Sequence, residues 1–163
     1  KIYFSEINPK HIERMKKEHP EVEFVEPEEI YKLDVDVFCP CALGAVLNDK
    51  TIPEIKAKII AGTANNVLED EDKHGEMLKN KGILYAPDFV INAGGVINVY
   101  HEIIGYDKNR VISDVKLIYD RLLEIFRIST EQNVHTQRAA MVFAEKRIES
   151  VAKIKSNYIP RKL

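Results

Sequence analysis

Over residues 1–85, short apolar blocks alternate with longer, charge-rich stretches. The blocks at 1–6, 23–25, 34–38, 58–61 and 82–85 are rich in β-branched and aromatic residues and read as strands. Between the first two, Asn8-Pro9 supplies an N-cap and a first-turn proline for a helix that runs through Ile12 and Met15 and stops near His19-Pro20. Residues 27–31 read as one or two helical turns with proline and acids at the front. A short helix is expected at 52–57 and a charged surface helix at 70–81. Beyond residue 85 the period changes. Val115, Ile118, Leu122 and Ile125 fall at helical spacing within 111–130, and Ala140, Phe143, Ile148 and Val151 do so within 138–154. Residues 155–163 are basic and are expected to fray.

Strands alternating with helices indicate an α/β fold built on a parallel sheet. In such a sheet ligands bind beyond the carboxyl ends of the strands. Polar or small residues occupy each of those ends: Glu6, the loop 39–44, the loop 62–66 and residues 88–95.

Composition removes several classes of function. The chain has 163 residues, 45% hydrophobic and 31% charged, which suits one globular domain with a sizeable core. Its net charge of -2, with no basic block, argues against nucleic acid or an anionic membrane as the main partner. The apolar runs are too short to span a bilayer, and none has the form of a signal peptide. The two cysteines, Cys39 and Cys41, make a C-x-C pair, poor geometry for a disulfide and not the C-x-x-C pattern of zinc or redox sites. Both read as reduced thiols of a cytoplasmic protein. The chain opens on Lys1 within a strand, without an initiator Met, which reads as a piece of a longer polypeptide.

Glu6 closes the first strand. In dinucleotide-binding folds an acid at the end of the second strand accepts the adenosine ribose hydroxyls and repels a 2′-phosphate. The alternative is a solvated acid that serves the helix start at Asn8. A catalytic thiol at Cys39 or Cys41 would need a nearby base or helix N-terminus, and none is evident. Small apolar packing in a proline-stiffened loop is the favoured reading there, although the loop backbone could still contact a cofactor. Gly62-Thr-Ala-Asn-Asn66 offers two amides able to hold a carboxamide or carboxylate, and is equally a plain turn.

Other chemistries fail. His101-Glu102 opens like H-E-x-x-H, but Gly105 stands at the fourth position after His101. His11, His19, His74 and His135 sit among charged residues and are expected to be solvated, so no metal site is expected. There is no phosphate loop of the G-x-x-x-x-G-K-[ST] type and no defensible Ser-His-Asp set. The Gly-rich turn of a dinucleotide fold would precede Glu6 by about 20 residues, upstream of Lys1. Its strand lies centrally in the usual order 3-2-1-4-5-6, so a sheet with a gap is expected.

Asn92-Ala-Gly-Gly95 reads as a helix start carrying two glycines, each of which costs a helix interior about 1 kcal/mol. Either this is a weakened core helix, or its first turn walls a ligand site.

Three stretches, 39–49, 58–66 and 85–98, resemble in order the amino-acid dehydrogenases that act on glutamate, leucine, phenylalanine or valine, and leucine dehydrogenases in particular. The resemblance runs through the chain and is weakest after about Val111. It implies a Rossmann-like parallel sheet lacking its first strand (residues 1–110), followed by C-terminal helices (111–163) that pack back on it. It implies NAD-dependent, reversible oxidative deamination of branched-chain L-amino acids to 2-oxo acids and ammonia, by a homo-oligomer in the full-length protein. Glu6 stands where the family usually has a ribose-binding Asp. The backbone of Cys39, Pro40, Cys41 and Ala42 would line the nicotinamide ribose. Asn66 would help to hold the nicotinamide or the substrate carboxylate, and Asn92 would lie near the carboxamide. Val96 and Val99 would close the substrate side-chain pocket. Two branched apolar residues there suit an aliphatic side chain, because burying a carboxylate without a partner is costly. The family's catalytic lysine and aspartate lie in an N-terminal domain outside this sequence, so the chain alone is expected to be inactive. Valine or phenylalanine dehydrogenase remains an alternative, as does a non-catalytic dinucleotide-binding module.

Overall fold

A computed structural model describes residues 1–156. Five short strands, all parallel, form two sheets. β1 (Tyr3–Phe4) pairs with β2 (Glu23–Phe24). β3 (Val37–Phe38), β4 (Ile59–Ile60) and β5 (Leu84–Tyr85) form the second sheet in that order. β1 and β3 do not pair. The order β2-β1, then β3-β4-β5, is what an open 3-2-1-4-5-6 sheet leaves when its first strand is removed. The fold is therefore the expected α/β arrangement with a gap.

The strands are shorter than their apolar blocks, for local reasons. Pro40 and Pro87 stand just past β3 and β5, and proline has no amide to extend a ladder. Past β1, the amides of Ile7 and Asn8 turn to the Glu6 carboxylate. Single hydrogen bonds still reach beyond the pairs, from Val25 N to Phe4 O (2.9 Å) and from Ala86 N to Ile60 O (2.9 Å).

Helix starts follow the sequence closely. α1 (Pro9–Glu18) is capped by Asn8, whose Oδ1 accepts from Lys10 N at 3.0 Å, and Pro9 is its first residue. Residues 27–31 give only a 3₁₀ turn at Ile30–Lys32, and the short helix is α2 (Thr51–Glu54). α3 (Glu71–Asn80) begins where Asp70 Oδ1 accepts from Lys73 N at 2.8 Å. After β5 come α4 (Asp88–Ile91) and α5 (Gly94–Ile104). α6 (Lys108–Gln132) starts earlier than its apolar spacing suggested, because Asp107 Oδ1 accepts from Asn109 N and Arg110 N. It ends at Asn133, which is left-handed (φ 52°) and turns the chain into α7 (Thr136–Ser156).

The two faces of the β3-β4-β5 sheet differ. Ile60 and Tyr85 are buried and Phe38 half-buried, within a core that includes Leu47, Ile52, Ile55, Val67 and Leu78. On the opposite face Val37, Ile59 and Leu84 align in register and remain 48%, 37% and 39% exposed. A second core, Ile125, Ile128, Ala139 and Ala140, joins α6 to α7. α7 also packs on α3 and β5, which brings the C-terminal helices back to the sheet. A Cβ on Gly75 of α3 would lie 2.4 Å from His135 Nδ1, so this junction needs glycine.

Three expectations are corrected by these contacts. His74 and His135 are buried, not solvated, because each faces a packed neighbour instead of water. The helix at 70–81 is not purely a surface helix, since Gly75 and Leu78 are buried with His74. In α7, Ala140 is buried but Ile148 and Val151 are exposed, because the inward stripe loses its partner in the second half of the helix. The fraying expected at 155–163 lies outside the described residues from 157 onward. Among the described residues no helix is long and apolar enough to cross a membrane.

Candidate active site

The loops after β3, β4 and β5 are tied together by backbone contacts. Pro40 is buried, and its carbonyl oxygen accepts from Ala64 N at 3.0 Å. A Cβ on Gly62 would lie 2.1 Å from that same oxygen, so only glycine permits this approach of the two loops. Further along, Ala45 N donates to Asn66 O at 2.7 Å, and both Ala45 (φ 57°) and Asn66 (φ 51°) are left-handed. That conformation costs Ala roughly 1–2 kcal/mol, which the surrounding contacts must offset. Asn66 is thus a turn residue whose side chain is left exposed.

The β5 loop joins the same assembly. Asn92 Nδ2 donates to Asn65 Oδ1 at 2.5 Å, so this amide braces the neighbouring loop. Asp88 is buried and its carboxylate accepts from Val67 N (2.9 Å) and from Phe89 N (2.7 Å). Its own amide donates to Tyr85 Oη at 3.3 Å, and burial pushes the Tyr85 hydroxyl above its usual range. Asn65 was read only as one of the two amides of the 62–66 loop, and Asp88 was not singled out from sequence. An acid directly after proline at a helix start was the available signal for Asp88.

The glycine pair proves to be the first turn of α5, with Asn92 and Ala93 separating it from α4. Most of the interior helix penalty therefore does not apply. Among the described residues, a Cβ on Gly94 or Gly95 would meet nothing within 4 Å. Val96 and Val99 follow on this helix, 73% and 54% exposed. The open glycine turn and the two valines present a bare, apolar wall. His101, buried further along α5, holds the helix to α6 through Asp114 Oδ2 at 2.7 Å.

Cys39 and Cys41 are exposed, not packed as small apolar residues, since it is Pro40 between them that faces the protein. Their sulfurs lie 3.6 Å apart. Partial burial and the neighbouring Cys41 push the Cys39 thiol up to about 11. Desolvation also raises Cys41, but hydrogen bonds from the Thr63 side chain and amide, and from Cys39, outweigh it and hold that thiol below its ordinary value.

Glu6 lies at the carboxyl end of β1. Its Oε1 accepts from Asn8 N (3.0 Å) and Ile7 N (2.8 Å), and Oε2 stands 3.4 Å from His11 Nδ1. The backbone amides of Asn8 and Ile7 hold its carboxyl below the usual range, so it is ionised at neutral pH. A cavity of about 510 Å³ beside it is lined by Ile12, Phe24 and Pro27 among others. The helix-start reading of Glu6 describes its local bonds: Oε1 serves the two amides and Oε2 faces His11. Among the described residues no three His, Cys, Asp or Glu side chains converge as metal ligands.

Residues 4–157 match the family model described as Glutamate/Leucine/Phenylalanine/Valine dehydrogenase. The chain belongs to this family. Among its relatives, the leucine dehydrogenase of Thermoactinomyces intermedius is 46% identical over 98% of this chain and 43% of its own length. The phenylalanine dehydrogenase of Caldalkalibacillus thermarum is 40% identical over 98% of this chain and 44% of its own. The crystal structure of L-tryptophan dehydrogenase from Nostoc punctiforme superposes with a TM-score of 0.88 at 53% identity, over 93% of this chain and 45% of that one. This family chain thus spans about 45% of the length of the relatives it matches.

Proposed function

We propose that residues 1–163 form the cofactor-binding part of an NAD-dependent amino-acid dehydrogenase. The reaction is the reversible oxidative deamination of branched-chain L-amino acids, leucine foremost, to 2-oxo acids and ammonia. The observation that carries this reading is the first turn of α5, bare at Gly94 and Gly95, above three braced loops at the carboxyl end of a parallel sheet. NAD fits the residues present. Glu6 offers an ionised carboxylate to a ribose diol, and its charge disfavours a 2′-phosphate. The 39–42 backbone lies along the nicotinamide ribose in this proposal, with Asn66 and Asn92 at its far edge. Asn92 acts there through its brace to Asn65, which fixes the loop that carries Asn66. When bound, NAD would supply the hydride acceptor. Val96 and Val99 form an uncharged wall for the substrate side chain, with no partner for a glutamate carboxylate.

The groups that move protons are proposed to lie outside residues 1–163, in a cytoplasmic, homo-oligomeric full-length protein made of a dinucleotide domain (1–110 here), C-terminal helices (from 111) and a further domain. A polypeptide of residues 1–163 is therefore expected to show no turnover of leucine, and detectable turnover would overturn that assignment. A second reading, an aromatic substrate, is favoured by the 53% identity to an L-tryptophan dehydrogenase. One experiment separates the readings. Initial rates of the full-length enzyme are measured with leucine, valine, isoleucine, phenylalanine, tryptophan and glutamate, each with NAD and NADP. Leucine with NAD is expected to be fastest; preference for tryptophan or phenylalanine establishes the second reading, and preference for glutamate sinks the Val96 and Val99 argument. Glu6→Gln is expected to raise the relative use of NADP.

A further inference from the structure

The proposed function uses only the backbone of the 39–42 loop and leaves its two thiols without a role. Pro40 is buried, Gly62 presses against it, and its carbonyl oxygen accepts from Ala64 N. The chain is pinned at the middle residue while the flanking side chains reach solvent. That anchoring sets the Cys39 and Cys41 sulfurs 3.6 Å apart, both exposed and both free. We propose that Cys39 and Cys41 are a modification site: a dithiol pair that hydrogen peroxide closes reversibly into a disulfide within the loop.

The sulfurs must approach from contact to a bond of about 2 Å, a movement within reach of side-chain rotation plus a small backbone shift. Thr63 stabilises the Cys41 thiolate, which makes Cys41 the attacking sulfur. The thiolate attacks one peroxide oxygen, the O–O bond breaks, and the departing hydroxide takes up a proton as water. Cys41 is then a sulfenic acid. The Cys39 sulfur attacks the Cys41 sulfur, the S–S bond forms and the S–O bond breaks. The released hydroxide leaves as a second water with the Cys39 proton. Both thiols are oxidised and one peroxide is reduced. A ring closed across a single residue is strained, so the disulfide is easily reduced, as a transient cytosolic disulfide must be. Closing it pulls on Pro40 and on its bond to Ala64. An effect on NAD binding would rest on the function proposed above, whereas the bond itself does not.

The test is made on reduced full-length protein treated with hydrogen peroxide, alkylated, and mapped by peptide mass. The expected result is loss of both thiols in the peptide spanning 39–41, with a mass lower by two hydrogens, restored by dithiothreitol. Cys39→Ser should stop at a sulfenic acid on Cys41 that dimedone traps. Persistence of both free thiols, gain of oxygen without loss of hydrogens, or a dimer linked through this loop would each overturn the proposal.

Discussion

On one face of the three-stranded sheet, Phe38, Ile60 and Tyr85 pack into a core with α2 and α3; on the other, Val37, Ile59 and Leu84 stand in register and open to solvent. The two rows are neighbours in sequence and alike in apolar character. Parallel sheets are normally covered on both faces, and their strands read as continuous apolar runs for that reason. The open row has the composition of a covered face without its cover among the described residues. An apolar pattern therefore reports what a face requires of its surroundings, and not whether the surroundings are present.

The contrast is sharpest for adjacent residues of β4. In a polypeptide of residues 1–163, Ile60→Ala is expected to cost roughly 2–5 kcal/mol in urea unfolding, because it empties a packed site. Ile59→Ala should stay within about 1 kcal/mol, and equal losses at the two positions would break the comparison. Next in size is the junction that holds α3, and with it the cover of the inner face. Gly75→Ala forces a Cβ against His135 and is expected to cost about 1–3 kcal/mol, read as a lower urea midpoint. Asp70→Ala removes the N-cap of the same helix, for about 1 kcal/mol.

The smallest effect lies in the pH dependence. Hydrogen bonds from Lys73 and His74 to the exposed Asp49 hold its carboxyl below the usual range in the folded chain. A folded value below the unfolded one gives stability that is complete above the unfolded value and is lost as pH falls through the folded value. Asp49→Asn should therefore lower stability slightly at neutral pH and leave it unchanged at pH values below the folded value, which flattens the acid limb of a stability–pH curve. A loss that persists undiminished at acid pH would contradict this assignment.

Legibility in the sequence tracked distance along the chain. The Asn8-Pro9 and Asp70 helix starts depend on side-chain bonds to amides two or three residues away, and both were readable. So were the strand ends, since Glu6, Pro40, Gly62 and Pro87 each stand two positions past the last paired residue of a strand. His74 and His135 were not readable, whereas His11 and His19 are exposed as expected. His74 looks solvated among charges, yet it accepts from Asp70 N at 2.9 Å and reaches Asp49, 25 positions away, at 3.2 Å. The cysteines misled in the opposite sense, because the burial expected of them belongs to Pro40. Gly62 read equally as a turn or a ligand approach; its neighbour is the Pro40 carbonyl of another loop.

The sequence by itself determined the parallel α/β class, the starts of α1 and α3, the family and the glycine turn at 94–95, because each rests on local geometry or on a pattern carried in the chain. Only the tertiary structure decided which face of the sheet is covered, which histidines are dry, that Asn92 braces Asn65, and that two thiols meet over a pinned proline. Those outcomes depend on surfaces brought together from distant parts of the chain. Burial is set by whatever lies opposite a residue, and nothing in the residue's own chemistry names that partner.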